Sequence, residues 1–559
     1  MFRDVLKKIS KYFTNIKPTL SDGGEKYNLN IFRKDFIAGL TVSAILIPNV
    51  IGYAILTGLP PVMGLYAALP AVMIGALWGS SRYVITAPVG VVSLLAVTSL
   101  SEYARPNSQE FITLAISLAI LVGIIQFSLG FFKLGIFARL IPHSVIIGFT
   151  NAAAILIILS QLPLLLGTSL WDLNLSNYNI FTITLGLITI LLVLLGKKII
   201  PKFPMSLVVV AITIFLGSFL NYSDFGIPTI GFIPSGIPAF SLSAFSLPVF
   251  LVLLKQAILI AIVGFVETYS IAKSLSSKNN EKINPDKELN GQGLANIFSG
   301  FFGGFPVSGS YSASVLNFNN GAKSAVSGIV VSVIILFALL IMGPFLAHIP
   351  KPVLAGVVIA AISQLIDFKK IFQVFKLSRT DGYLAIIVFL FAILLKPDDA
   401  LFVGIFLAIG FFVYRSMNLK ITEVGIHKIY NSLWSRDSGK NEELILYPEK
   451  IIIRVDYSLI FSNADLLEDL VLEKIEIHEN EFATKVKLLV LNCGGVNYVD
   501  LSGLEALQNL KKVLANKNIE LMFMLIKDVV RFEFDNAEIL KGVKYLHGLE
   551  ELQLVCGKI

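Results

Sequence analysis

Apolar runs near twenty residues long recur from Asp35 to Met417, separated by short polar stretches. A run of that length spans a bilayer as a helix. The pattern predicts roughly fourteen membrane segments. They lie near residues 36–54, 60–78, 88–101, 111–131, 143–166, 179–196, 204–220, 247–273, 289–303, 306–320, 324–346, 351–366, 381–396 and 399–416. The third and tenth are among the shortest, and each opens at a Pro-Val pair. Ala87-Pro88-Val89-Gly90 and Phe305-Pro306-Val307-Ser308 echo each other across more than two hundred residues. Proline favours the first position of a helix, where its missing N–H is not needed. Pro88 and Pro306 are therefore expected to start two half-helices at membrane depth. Paired interruptions of this kind, one in each half of a chain, point to a transporter's binding site. The alternative is that Pro and Gly only kink packed helices, which membrane helices tolerate.

Near Asn441 the pattern changes. Ile451–Val455, Val486–Leu491 and Ile519–Leu525 are short apolar runs that read as buried strands. Leu504, Leu507 and Leu510 form a helical stripe, and two more helical stretches follow. Strands alternating with helices predict a small α/β domain. The expected organisation is a polar N-terminal segment over residues 1–34, a transport domain over 35–420, and a linker with the α/β domain over 421–559.

Composition agrees with a polytopic membrane protein: 55% of the 559 residues are hydrophobic and only 15% charged. Residues 1–34 show no apolar core or small-residue cleavage site, so no signal peptide is expected. The net charge of +7 is explained by its distribution, without nucleic acid. With the N-terminus inside, the loops carrying Arg82, Lys133, Arg139, Lys197, Lys198, Lys202, Lys273, Lys278, Lys282, Lys287, Lys323, Lys369, Lys370, Lys376, Arg379, Arg415 and Lys420 are all cytoplasmic. The opposite loops hold chiefly Arg105, Lys351 and Lys396. This bias predicts both termini in the cytoplasm of a cell whose inner, plasma membrane holds the protein. Halves near residues 35–225 and 245–417 predict a repeat of seven segments with inverted topology. Cys493 and Cys556, both in the polar part, fit a reducing compartment.

Backbone N–H groups near Gly90, Val91, Ser310 and Tyr311 would face an anion held between the half-helix starts. Ser308, Ser310 and Ser312 add hydroxyls. Glu267 is the one acid placed well inside a predicted segment. An intramembrane carboxylate is costly and marks a candidate functional site. It could carry a proton, bind Na⁺, or hydrogen-bond a neighbouring helix. Asn49 and Tyr53, four residues apart on one face of the first segment, could line a polar cavity or serve in packing. No Walker loop, zinc-ligand cluster or nucleophile elbow is found, the histidines are scattered, and neither an enzyme nor a bound cofactor is expected.

Together these residues resemble the SulP family, bacterial and plant sulfate permeases related to the animal solute carrier 26 anion transporters. The resemblance rests on Pro48-Asn49 through Gly52-Tyr53-Ala54, Gly58-Leu59-Pro60-Pro61 and Ala87-Pro88-Val89. It continues with Glu267 through Ile271-Ala272-Lys273, Gly293-Leu294-Ala295-Asn296 and Gly303-Gly304-Phe305-Pro306-Val307-Ser308-Gly309-Ser310. Val496 through Leu504 is similar to the core of a STAS domain. The resemblance implies a core domain from segments 1–4 and 8–11 and a gate domain from 5–7 and 12–14. It implies a homodimer with elevator-like movement and a site near Asn49, Tyr53, Val89, Gly90, Glu267, Ser310 and Ser312. An acid at the Glu267 position is typical of cation-coupled members, which implies symport with H⁺ or Na⁺. The alternative is an uncoupled channel or exchanger on the same scaffold. Many sulfate-carrying relatives have Arg after the serine of segment 10, where this chain has Ala313. That substitution weakens the case for sulfate and favours a monovalent anion such as bicarbonate. Ser502 corresponds to a phosphorylated serine in related STAS proteins, which implies a regulatory site and a cytosolic protein partner. Ser502 through Glu505 also reads as a helix capping box, with Ser502 as N-cap.

Overall fold

The structure, a computed structural model, describes residues 27–135, 142–168, 178–200, 205–217, 219–231, 236, 240, 247–279, 281–395, 397–436 and 444–557. Most of the N-terminal segment, the basic residues Arg139, Lys202 and Lys396, and the composition change near Asn441 lie outside the described residues. The chain divides into two compact units, Met1–Ala408 and Ile409–Ile559.

The first unit is helical. Its first half contains α1 (Leu29–Leu56), α2 (Val62–Trp78), the two-residue strand β1 (Thr86–Ala87), α3 (Gly90–Leu100), α4 (Gln109–Phe131), α5 (His143–Leu166), α6 (Ile180–Ile199) and α7 (Met205–Gly217). The second half contains α8 (Leu247–Ser277), α9 (Pro285–Phe301), β2 (Ser308–Gly309), α10 (Tyr311–Asn319) and α11 (Val326–Phe337). Then come α12 (Lys351–Ile362), α13 (Phe368–Leu377), α14 (Arg379–Leu394) and α15 (Pro397–Met417), whose residues from Ile409 on belong to the second unit. A π-helical turn over Ala338–Met342 continues α11 toward Leu346. Every predicted segment has its helix. Among the described residues six helical stretches are long and apolar enough to cross a membrane, one of them the run from α12 through α13. The shorter ones depend on neighbours. α13 is an addition: its ten residues lie between two predicted segments. It buries Ile371 and exposes Phe372 and Leu377, the habit of a helix lying at a membrane surface.

Two helical groups pack internally. α9 lies against α4 and α2, α11 against α1 and α2, and α8 against α4. In the other group α5 packs on α14, and α12 packs on α6 and α5. Small residues permit the closest approach. A Cβ on Gly123 of α4 would lie 2.5 Å from the Gly293 carbonyl of α9, and one on Gly293 would lie 2.5 Å from the Phe127 nitrogen.

The second unit carries an α/β domain. β3 (Ile421–His427) starts the sheet about twenty residues before the composition changes. β4 (Leu433–Ser435) pairs with it on one side, and β5 (Leu444–Ile445) and β6 (Lys450–Val455) pair antiparallel on the other. β7 (Leu488–Asn492), β8 (Glu520–Met524) and β9 (Lys544–Leu546) continue in parallel. Between them run α16 (Leu466–Phe482), α17 (Leu501–Asn516) and α18 (Asp528–Asn536), followed by α19 (Leu549–Cys556). β3 escapes the apolar pattern because its buried residues include Thr422, Glu423 and His427.

The capping-box reading of Ser502 does not hold. Asp500 is the N-cap of α17, its carboxylate accepting from the Gly503 N–H at 3.0 Å. Its other oxygen accepts from the Phe461 N–H at 2.7 Å, a contact across loops that fixes Asp500 at the cap. Ser502 sits one residue into the helix and is partly exposed.

Buried His478 of α16 faces acceptors with both ring nitrogens: Glu423 Oε1 at 2.7 Å and the Tyr447 carbonyl at 3.1 Å. Arg436 donates to the other Glu423 oxygen at 2.6 Å and also to Glu481. Burial opposes protonation of the ring, but the hydrogen bond and charge of Glu423 outweigh it and raise the His478 pKa. A raised folded-state value contributes stability below the ordinary histidine pKa of 6.5 that is lost as pH rises through the folded value. The unfolding midpoint of this domain should therefore fall on going from mildly acidic to alkaline buffer. His478→Gln should flatten that dependence in a pH series of thermal melts followed by hydrogen exchange of α16. An unchanged profile in the variant removes His478 as its source.

Candidate functional site

The two half-helices start where β1 and β2 meet. The strands pair antiparallel, Thr86 opposite Gly309 and Ala87 opposite Ser308, and the Ser310 N–H donates to the Ile85 carbonyl at 2.8 Å. α3 and α10 then begin, with Val89 and Ser310 as N-caps, and neither is capped by a side chain. The first-turn N–H groups of a helix have no partner within it, and that end carries partial positive charge. At eleven and nine residues, both helices stop well short of a full span.

The prolines do not start these helices. Pro88 precedes the N-cap of α3, and Pro306 precedes β2, five residues before α10. The Pro-Val echo and the structural echo are therefore out of register. β1 precedes its proline while β2 follows its own. The pairing of the strands, not proline geometry, decides where each helix can begin.

Tyr53, Val89, Gly90, Val91, Glu267, Ser310, Tyr311 and Ser312 line one cavity, closed on another side by Ala361, Ile362, Gln364 and Leu365. Its volume is about 50 Å³. One water needs about 10–15 Å³ by that measure, so the space suits a small inorganic ion and excludes a large organic solute. Gly90 matters by close approach: a Cβ there would lie 2.8 Å from Ile362 and 3.3 Å from the Tyr53 ring. Asn49 lies outside this cavity. It lines an adjoining wider cleft along α10, which shares Tyr311, Ser312, Ala361 and Gln364 with the cavity. Ser312 is exposed to that space, while Ser310 is buried. Among the described residues no Lys or Arg lines either space. Ala313 is buried in the core.

Three acids near these helices contrast in their bonding. Buried Asp35 accepts from the Lys323 N–H at 2.6 Å, the Ser324 N–H at 3.1 Å and the Ser324 hydroxyl at 2.6 Å. Buried Glu288 accepts from the Ser80 and Ser81 N–H groups at 2.7 and 3.1 Å. Each ties its helix to a loop distant in the chain. Glu267 instead presents a buried Oε2 with no hydrogen-bond partner and lines the cavity. A buried polar atom left unpaired is costly and calls for an explanation. Asn49 Oδ1 is likewise buried and unpartnered.

A polar frame that the sequence reading did not single out holds the strands in place. Thr268, next to Glu267, accepts from the Gly309 N–H at 2.8 Å and donates to the Gly264 carbonyl at 2.7 Å. Asn296 of α9 pairs with Val307 as a strand would. Its Oδ1 accepts from the Val307 N–H at 2.8 Å, and its Nδ2 donates to the Val307 carbonyl at 3.0 Å. The same amide donates to Gln126 Oε1 at 3.0 Å. Gln292 donates to Thr86 at 2.6 Å. Gln364 was also missed. The available signal was an isolated amide in an otherwise apolar segment, as with Gln126.

Paired broken helices within a bundle of apolar helices are a feature of membrane transporters. The sulfate permease family model matches residues 32–388, and the STAS domain model matches 443–551. The chain belongs to the sulfate permease family and carries a C-terminal STAS domain. Sulfate transporter 4.1, chloroplastic, of Arabidopsis thaliana is 31% identical over 518 residues, covering 88% of this chain and 74% of that protein. The structure of murine Solute Carrier 26 family member A9 anion transporter in the inward-facing state matches with a TM-score of 0.86 at 20% identity. It covers 95% of this chain and 92% of that one. The transmembrane domain of the cyanobacterium bicarbonate transporter BicA matches with a TM-score of 0.58 at 25% identity, over 69% of this chain and 99% of that one. The protein is thus a multi-pass membrane anion transporter, not an enzyme.

Proposed function

We propose that this protein is a secondary active transporter that couples movement of an inorganic anion to H⁺ or Na⁺. The anion binds between the starts of α3 and α10, and Glu267 takes the coupling cation. One observation carries the reading: uncapped helix starts and an unpartnered carboxylate line the same small cavity, with no basic side chain among the described residues that line it. An anion and an ionised carboxylate repel strongly in a space of low dielectric. A proton or Na⁺ on Glu267 removes that repulsion. Each ligand then raises the affinity for the other by the same factor. The helix groups around α9 and around α5 and α12 would move as core and gate in an elevator-like cycle, within a homodimer. By the distribution of basic loops, the wider cleft opens to the cytoplasm of the cell and both termini lie there, with the protein in the inner, plasma membrane. Ser502 and the STAS surface would serve regulation by a cytosolic partner.

The absence of a basic side chain beside Ser312 and Ala313 favours a monovalent anion, bicarbonate, over sulfate. Many relatives are named for sulfate, and helix ends bind sulfate unaided, so the two must be compared directly. The deciding experiment is uptake of labelled bicarbonate and sulfate into proteoliposomes under imposed proton or sodium gradients. Concentration of either anion only with a cation gradient supports symport. Equal fluxes with and without one would establish the uncoupled alternative. Ser312→Ala should weaken anion binding several-fold by removing a hydroxyl donor, as about 1 kcal/mol per hydrogen bond implies. Isothermal titration would show it, and an unchanged affinity would place Ser312 outside the anion's reach.

A further inference from the structure

The membrane-spanning unit carries a second, larger space, away from the anion cavity. α2 packs against both α9 and α11. A groove of about 610 Å³ runs along these three helices, against about 50 Å³ for the anion cavity. Its walls are Pro70, Met73 and Leu77 of α2, Leu294 and Phe298 of α9, and Val333 of α11. Residues three or four apart share a helix face, so α2 and α9 each give a continuous apolar stripe. Met73, Phe298 and Val333 are 39%, 37% and 58% exposed, so the groove is open to whatever surrounds the bundle. Ser332 is the one hydroxyl among the described residues that line it, and it donates to the Leu69 carbonyl at 2.6 Å. No amide or charged side chain lines the groove among those residues, so nothing there is left to hold a water-soluble ligand.

The depth of the groove names its occupant. Trp78, the last residue of α2, lines one end. Just beyond it the polar loops after α2 and before α9 and α11 meet. The Asn284 N–H donates to the Ser80 hydroxyl at 2.8 Å, and Arg82 donates to the Lys323 carbonyl at 3.1 Å and pairs with Glu281 at 3.2 Å. Charged groups stay at the membrane–water boundary, and tryptophan is favoured there, so this end lies at the headgroup level. The lining reaches back along α2 to Leu69, about 14 Å at 1.5 Å per residue. That is about half of a hydrocarbon core roughly 30 Å thick, the depth of one leaflet. We infer that the groove is a phospholipid site, in which one acyl chain lies against α2, α9 and α11 with its glycerol end at Trp78. The other face of α9 carries Gln292 and Asn296, which hold β1 and β2, so the chain backs the helix that supports both half-helix starts. The inference rests on the membrane-spanning fold and is independent of coupling through Glu267.

The test uses Trp78 as its own reporter. The chain has 3 tryptophans, and Trp171→Phe with Trp434→Phe leaves Trp78 alone. The full-length protein in dodecyl maltoside is titrated with phosphatidylcholine brominated on its acyl chains, and Trp78 fluorescence is read. The expected result is quenching that saturates at a single lipid per chain and is reversed by unbrominated phosphatidylcholine. Met73→Phe with Val333→Phe fills the groove from two walls through exposed side chains and should abolish the saturable quenching. A thermal melt of that variant at the parent midpoint shows that its fold is kept, and the single variant Val333→Phe, expected to weaken quenching, serves if it is not. Quenching that only rises in proportion to the brominated lipid, without saturation, overturns the proposal, because it reports passing contact with bulk lipid. Saturable quenching unchanged in the filled variants overturns it too, since the lipid then sits elsewhere. So does the absence of quenching at any lipid level, which would assign the groove to a second copy of the chain.

Discussion

Glu267→Gln should abolish uphill accumulation of the anion while leaving its binding measurable. The substitution keeps the side-chain length and a hydrogen-bonding carbonyl oxygen but removes the group that binds a cation. The half-helix starts remain, because they depend on the β1–β2 pairing and on Thr268. With no ionised carboxylate in the cavity, an anion binds without a coupled cation. The dependence of affinity on the cation should therefore vanish together with concentrative uptake, while exchange down a gradient persists. Proteoliposome uptake with and without the gradient, beside direct titration of the anion, separates the two effects. Full gradient-driven accumulation by this variant would remove Glu267 from coupling. It would leave its unpartnered oxygen without a function in the cycle.

Asn296→Ala should be the most damaging substitution outside the cavity lining. One buried amide serves the N–H and carbonyl of Val307 and also Gln126. Removing it orphans several buried polar groups, each costing about 1–3 kcal/mol. The total is then on the order of 3–5 kcal/mol, a large share of a protein's net stability. The strand β2 loses its support from α9, and with it the placement of the α10 start. A lower thermal midpoint in detergent and loss of anion affinity are expected together. Asn296→Asp, which keeps one acceptor for the Val307 N–H, should fold better than Asn296→Ala yet still bind weakly. Wild-type affinity in both variants would show that α10 is positioned without this amide.

The two chemical halves of the site differed in how far the chain alone revealed them. Glu267 stood out because a carboxylate in an apolar run has few bland explanations. Val89, Gly90, Val91, Ser310, Tyr311 and Ser312 were legible because short interrupted segments occur in both halves, and they line one cavity. Asn49 was placed by its spacing from Tyr53, but the helix turns it into the adjoining cleft. Gln364 offered only an isolated amide in an apolar segment. It stands in a 3₁₀ turn after α12, and only packing brings that turn opposite α3. The STAS strands were visible where both faces are apolar, as at Leu488–Asn492. β3 was not, because its buried Glu423 is satisfied by His478 and Arg436, partners distant in sequence.

The sequence by itself determined the membrane-spanning fold, the family, and the kind of groups available to an anion. Run length, charge bias and ordered motifs are local properties of the chain, and the bilayer enforces them. Tertiary structure decided where the half-helices begin, because that follows from Thr86 and Ala87 pairing with Gly309 and Ser308. It also decided that Asp500, not Ser502, caps α17, because Phe461 holds that carboxylate from another loop. Each outcome turns on a hydrogen bond between residues far apart in the chain. Proline spacing and capping patterns report only the local preference, and a buried long-range bond outweighs it.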